Sequence, residues 1–250
     1  MSLSSQLLWL IPVGFIAQMV DGCVGMGYGI SASSILATLG IPPLITSATV
    51  HAAEVFTSGI SSVSHAWFRN LDRRIFLSLL APGVVGGVLG ATVLAHAPTH
   101  AIRPFVWGYL TITGLCVVGR VILKRSSPLA VGAPGPALGL IAGFLDAIGG
   151  GGWGTIVTST MIARGVAPRY AIGTANAVDF FVALAISVAL WTQMGHMRYD
   201  MVIALLIGGA AAAPLSAWVT RHVPARAAAT AVGLVVVLLG AAGLLDALLG

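Results

Sequence analysis

One stretch occurs twice in this chain, and each copy breaks an apolar run. The first copy is Gly14-Phe-Ile-Ala-Gln-Met-Val-Asp21-Gly22-Cys23-Val-Gly25-Met-Gly27-Tyr28-Gly29. The second, at an offset of 125, is Gly139-Leu-Ile-Ala-Gly143-Phe-Leu-Asp146-Ala-Ile-Gly149-Gly150-Gly151-Gly152-Trp153-Gly154. Asp21 falls on Asp146, Gly25 on Gly150, Gly27 on Gly152 and Tyr28 on Trp153. Each glycine costs a helix about 1 kcal/mol relative to alanine. Each copy therefore predicts two short helices meeting at an unwound segment that carries one carboxylate. A pair of such breaks reads as two halves of one binding site.

The runs around the breaks identify the solvent. Only 8% of the 250 residues are charged, against about 25% in a soluble domain, so the surface must face lipid. The twelve basic residues sit in short clusters between apolar runs, a topological pattern and not a nucleic-acid stripe. Gly149 to Gly152 is not a phosphate loop, because no Gly-Lys-Ser/Thr follows. No dinucleotide fingerprint, HExxH or Gly-x-Ser-x-Gly motif is present, so neither an enzyme nor a bound cofactor is expected. Cys23 and Cys116 have no metal-ligand spacing, and no metal is expected. The N-terminus has no basic segment before its apolar run and is read as lacking a cleaved leader.

In order, the first apolar unit spans about 7 to 39, and Gly40-Ile-Pro-Pro43 turns the chain. A helix over about 46 to 68 carries Ser47, His51, Glu54, Ser58, Ser61 and His65 at steps of four and three, which places them on one inward face. Helices over about 75 to 94 and 102 to 123 follow. Residues 126–136 read as a linker between a first repeat, 1–125, and a second, 137–250. The second repeat predicts a broken unit over 138 to 161 and helices over about 171 to 193, 201 to 219 and 227 to 249. Thr174, Asn176 and Asp179 match Thr49, His51 and Glu54. Late in the repeat the offset becomes 126, pairing His96 and Pro98 with His222 and Pro224. The expected fold is an all-α polytopic membrane protein of eight to ten helices, each repeat holding a broken hairpin and three transmembrane helices.

Basic residues choose the orientation. If each broken unit crosses once, the two sides hold seven and five basic residues. If each goes in and returns, the repeats invert. One side then holds Arg69, Arg73, Arg74, Arg120, Lys124, Arg125, Arg164, Arg169, Arg221 and Arg226, and the other only Arg103 and Arg198. Ten against two fits the positive-inside rule. The ten-residue side is expected in the cytoplasm and both termini outside.

Inverted repeats with broken helices are a recurring transporter design. Helix N-termini at the breaks offer backbone N–H groups and about half an elementary charge each, enough to hold an anion without Lys or Arg. The candidates for substrate contact are Gly25, Gly27, Tyr28, Gly29, Thr49, His51, Gly150, Gly151, Gly152, Trp153, Thr174 and Asn176. Asp21, Glu54, Asp146 and Asp179 are the candidates for proton coupling, since an ionised, unpaired carboxylate in lipid costs several kcal/mol. His51, one turn from Glu54, is placed to share a proton with it. Asp21 and Asp146 also suit helix caps. A carrier of another small organic anion and a passive anion channel stay open as alternatives.

Asp146-Ala-Ile-Gly-Gly-Gly-Gly152-Trp-Gly154 and Gly165-Val-Ala-Pro168-Arg169-Tyr-Ala-Ile-Gly173-Thr174 resemble the TauE/SafE family of sulfite-exporter-like membrane transporters. The weaker first copy runs from Asp21 to Gly29, then Gly40-Ile-Pro-Pro43 and Ser47-Ala-Thr49, with Cys23, Met26 and Tyr28 interposed. The resemblance spans both halves. It implies transport, usually export, of a sulfur-containing anion such as sulfite, a sulfonate or sulfoacetate, through the cytoplasmic membrane.

Overall fold

A computed structural model describes residues 3–24, 26–123, 135–219 and 225–249, and among these it contains ten α-helices and no strand. They are α1 (Leu3–Val24), α2 (Tyr28–Thr38), α3 (Pro43–Trp67), α4 (Arg73–His96), α5 (Thr99–Leu123), α6 (Pro136–Gly149), α7 (Trp153–Ala163), α8 (Pro168–Met194), α9 (Tyr199–Val219) and α10 (Ala225–Leu249). By length and composition three are long and apolar enough to cross a membrane: α4, α8 and the Thr99–Gly119 part of α5.

Both breaks lie where glycine and aspartate predict them, but the flanking helices are unequal. α1 has 22 residues and α2 has 11, about 33 and 16 Å at 1.5 Å per residue. α1 continues through Asp21 and Gly22 to Val24, so its packing offsets the glycine cost there. α6 and α7 have 14 and 11 residues. Thus α1 is not a short helix, as the sequence predicted. α3 and α8 begin three residues earlier than predicted, at Pro43 and Pro168. Proline fits the first turn of a helix, where its missing N–H has no intrahelical partner. Of the predicted linker, 126–134 lies outside the described residues, and Pro136 already begins α6.

The helices pack in four close pairs: α1 on α9, α4 on α6, α3 on α8 and α5 on α10. Small residues let the backbones approach, as membrane helix packing requires. A Cβ on Gly14 would fall 2.1 Å from the Leu205 carbonyl oxygen, and one on Gly143 2.2 Å from that of Gly83. The polarity is inside out. Ile60, Val63, Trp67 and Phe68 are each at least 70% exposed, while Ser33, Ser47, Thr49, His51 and Asp146 are at most 1% exposed. Burial of polar groups beneath an apolar surface suits lipid as solvent.

Candidate functional site

The two breaks touch. A Cβ on Gly29 would lie 2.6 Å from the Gly151 Cα, and one on Gly151 2.4 Å from the Gly29 Cα. Gly151, at φ +137°, also adopts a backbone that L side chains rarely reach, so glycine is required there twice over. Tyr109 of α5 donates its hydroxyl to the Gly151 carbonyl at 3.0 Å. Ser33 of α2 donates to the Gly150 carbonyl, and Ser47 of α3 donates to that of Ala147 at 2.6 Å. These bonds satisfy carbonyls that the break releases.

Each short helix after a break starts on an aspartate from the helix before it. The Trp153 N–H, at the start of α7, donates to Asp146 Oδ1 at 2.7 Å. The counterpart in the first copy is a bond from the Tyr28 backbone N–H to the Asp21 carboxylate. A carboxylate here satisfies orphan N–H groups and matches the positive end of the helix. Glu54, midway along α3, reaches the same helix end: a Cβ on Gly29 would fall 2.7 Å from Glu54 Oε1, and the Gly29 N–H donates to this carboxylate.

Asp146 is engaged a second time. His51 Nε2 lies 3.1 Å from Asp146 Oδ2, and both side chains are at most 1% exposed. His51 Nδ1 sits 2.8 Å from the Ser47 carbonyl oxygen, which can only accept, so Nδ1 carries a proton. Nε2 and Oδ2 therefore share one proton between them. His51 thus pairs across 95 positions with Asp146 and not with Glu54 one turn away, because α6 packs against that turn of α3.

Beside the crossing lies a polar cavity of about 40 Å³, lined by residues of both breaks and of α3 and α8. Asp21, Glu54 and Asp179 face it, and among the described residues no Lys or Arg lines it. Tyr28 OH, Glu54 Oε2 and Asp179 Oδ1 are buried and have no hydrogen-bond partner among the described residues. Buried polar atoms without partners are uncommon, and three around one cavity mark a place for a polar ligand. A larger pocket of about 500 Å³, between α5 and the second break, is lined mainly by apolar side chains such as Phe105, Ile112 and Ile156. Among the described residues it offers no charged group.

Of the candidate contacts, Gly27, Tyr28, Gly29, Gly152 and Asn176 line the polar cavity. Asn176 also donates to Ser61 Oγ at 2.9 Å. Gly150 and Gly151 shape the crossing from behind. Trp153 is 1% exposed and donates its indole N–H to the Ala175 carbonyl. Thr174 accepts from the Asp72 N–H at 2.9 Å, at the turn before α4 and away from the cavity. Thr49 is buried outside the lining, and Gly25 lies outside the described residues. Thr57 and Thr155 line the cavity without having been singled out. Thr57 had a signal, one turn beyond Glu54. Tyr109 and Ser33 had none, because their partners come from the other repeat or a distant helix.

A family model described as "Sulfite exporter TauE/SafE" matches residues 10–243. The chain belongs to the TauE/SafE family. It is 34% identical to "Probable membrane transporter protein YtnM" of Bacillus subtilis (strain 168) over 244 residues, covering 94% of this chain and 81% of that protein. Two shorter matches cover 40% of this chain each. "Sulfite exporter TauE/SafE family protein 3" of Arabidopsis thaliana is 31% identical over 20% of its own length. "Probable membrane transporter protein ORF9" of Sinorhizobium sp is 35% identical over 39% of its length. No solved structure matches the chain. The TauE/SafE match and the apolar helices make this a transmembrane protein of a transporter family.

Proposed function

We propose that this protein is a proton-coupled secondary transporter, and not an enzyme, that exports a small sulfur-containing anion, sulfite or an organosulfonate, across the cytoplasmic membrane. The observation that carries the reading is the polar cavity at the crossing of the two breaks, enclosed by apolar helices and holding three unpartnered polar atoms. Gly27, Tyr28, Gly29, Gly152 and Asn176 are proposed to contact the anion. Gly150, Gly151 and Trp153 shape the crossing, and Thr49, His51 and Thr174 hold the elements around it; Gly25 stays a substrate-contact candidate from its sequence position alone. Asp21, Glu54 and Asp179 carry the exchangeable protons, with Asp146 as the fixed member. Three carboxylates around so small a cavity repel an anion, so anion entry requires that protons enter too.

The architecture proposed is two inverted repeats. Its support is that the α1–α9 pair answers the α6–α4 pair under the sequence offset, while α3–α8 and α5–α10 answer themselves. Ile16 and Val20 of α1 share a groove with Ser31, Ser34 and Ile35 of α2, as expected if α2 runs back beside α1. Sulfur as the substrate class rests on the family description and the relatives' names.

Sulfite flux in proteoliposomes, with and without an imposed pH gradient, tests this reading. Saturable flux driven by the gradient is expected. Flux that neither saturates nor follows the gradient would indicate a channel, and flux of carboxylates in preference to sulfite would return a different substrate.

A further inference from the structure

The two helix N-termini at the crossing differ in what holds them. That of α7 is closed by Asp146, whose other oxygen is fixed by His51. That of α2 is closed by Asp21 and Glu54. Glu54 is 7% exposed and its Oε2 has no partner among the described residues. Tyr28 is 4% exposed and its hydroxyl has none either. So α2 offers an anion site at which the protein's own carboxylate takes the place of the ligand.

We infer that Glu54 is a built-in competitor for the transported anion: its carboxylate holds the Gly29 N–H, and protonation of Glu54 yields that N–H to the anion. This rests on the anion-carrier reading above and adds the site and the coupling step. A carboxylate accepts a charge-assisted bond from the N–H, whereas the neutral acid accepts a weaker one. An oxyanion then competes for the helix end with the Tyr28 O–H as a second donor. The exchange conserves charge, because the proton removes one negative charge from the cavity as the anion adds one. Four carboxylates act on or near the site: Glu54 itself, Asp21 from α1, Asp146 from α6 and Asp179 from α8. Tyr28 of α2, Tyr109 of α5 and His51, one turn away on α3, are the other titratable groups around it. Among the described residues no basic side chain lines the cavity to hold the anion instead.

The test uses the full-length purified protein and methanesulfonate, the salt of a strong acid, whose charge is constant with pH, unlike that of sulfite. Calorimetric binding between pH 5.5 and 8.5 should show affinity falling by up to about tenfold per pH unit as pH rises, the limit for one linked proton. Glu54→Gln keeps an acceptor for the Gly29 N–H but cannot ionise. It should bind at pH 8 at least as tightly as the wild type and lose the pH slope. Infrared difference spectra of the wild type should show a carboxylate signal converting to carboxylic acid on adding methanesulfonate, a readout that does not depend on the variant folding. Wild-type binding that ignores pH, or that follows sodium at fixed pH, would overturn the inference and leave an anion carrier. An unchanged slope in folded Glu54→Gln, or the absence of the infrared conversion, would overturn it too. No anion binding by folded wild type at any pH would overturn the carrier reading and this inference with it.

Discussion

Replacing His51 by Ala should be among the most damaging single changes at the crossing, and Asp146→Asn should not be. His51 is fully buried and Asp146 1% exposed, with Nε2 and Oδ2 3.1 Å apart. Removing one partner of a buried pair leaves the other uncompensated and costs about 3–5 kcal/mol. At roughly 2–4 °C per kcal/mol for a chain of this size, the thermal midpoint should drop by about 6–20 °C. Asparagine at 146 can still accept the Trp153 N–H through Oδ1. It can also donate from its amide to His51 Nε2, because Nδ1 already carries the ring proton toward Ser47. That leaves a neutral pair in the same geometry, at a cost of about 1 kcal/mol. The assay is thermal unfolding of purified protein in one detergent, followed by size-exclusion profile. A His51→Ala midpoint within about 2 °C of wild type, or an Asp146→Asn midpoint as low as that of His51→Ala, would refute the shared-proton pair.

Gly29→Ala would drive a Cβ to 2.6 Å from the Gly151 Cα; overpacking of that kind costs about 1–3 kcal/mol, and a thermal midpoint equal to wild type would disprove the close crossing. Tyr109→Phe should lose one hydrogen bond to the Gly151 carbonyl, worth about 0.5–1.5 kcal/mol, which a matched unfolding series reads directly. Asp200→Asn is the contrasting case: its pair with Arg198 is 2.7 Å long but one-third exposed on both sides, so less than about 1 kcal/mol should be lost. Cysteines placed at residues 72 and 197 should label from opposite faces of the membrane in intact cells; labelling from one face would sink the inverted topology.

The breaks and the inward face of α3 were legible because both depend on local pattern. Glycine disfavours helix wherever it falls, and a stripe at steps of three and four declares a face. What that face meets was not legible. Ser47 and His51 turn to α6, and Glu54, Ser58 and Ser61 turn to the cavity. The division is made by where α6 packs, and no local rule carries it. His51 read naturally as a partner of Glu54 one turn away, yet its proton is shared with a residue 95 positions distant. Thr174 matched Thr49 by offset, but its hydroxyl serves the turn before α4. The offset predicts equivalent positions, whereas roles diverge once neighbouring side chains differ.

That divergence bears on how an acid-lined cavity can serve an anion. If both halves behaved alike, both helix N-termini would be closed by equally held carboxylates and neither could release its N–H groups without breaking a buried pair. The second break is held by two residues of the first half, His51 against Asp146 and Tyr109 against Gly151. Tyr109 corresponds, at the late offset of 126, to Val235, which has no hydroxyl to fix the first break. The second break is thus tied from two sides, while the first faces the cavity with an unsatisfied Tyr28 hydroxyl and Glu54 oxygen. On the proposed reading, a duplicated site of this kind divides the work: one half is the rigid reference, and the other exchanges its internal anion for an external one. Asp146→Asn should therefore change stability more than pH dependence, and Glu54→Gln the reverse. Finding the two effects exchanged would assign the moving half to the second repeat.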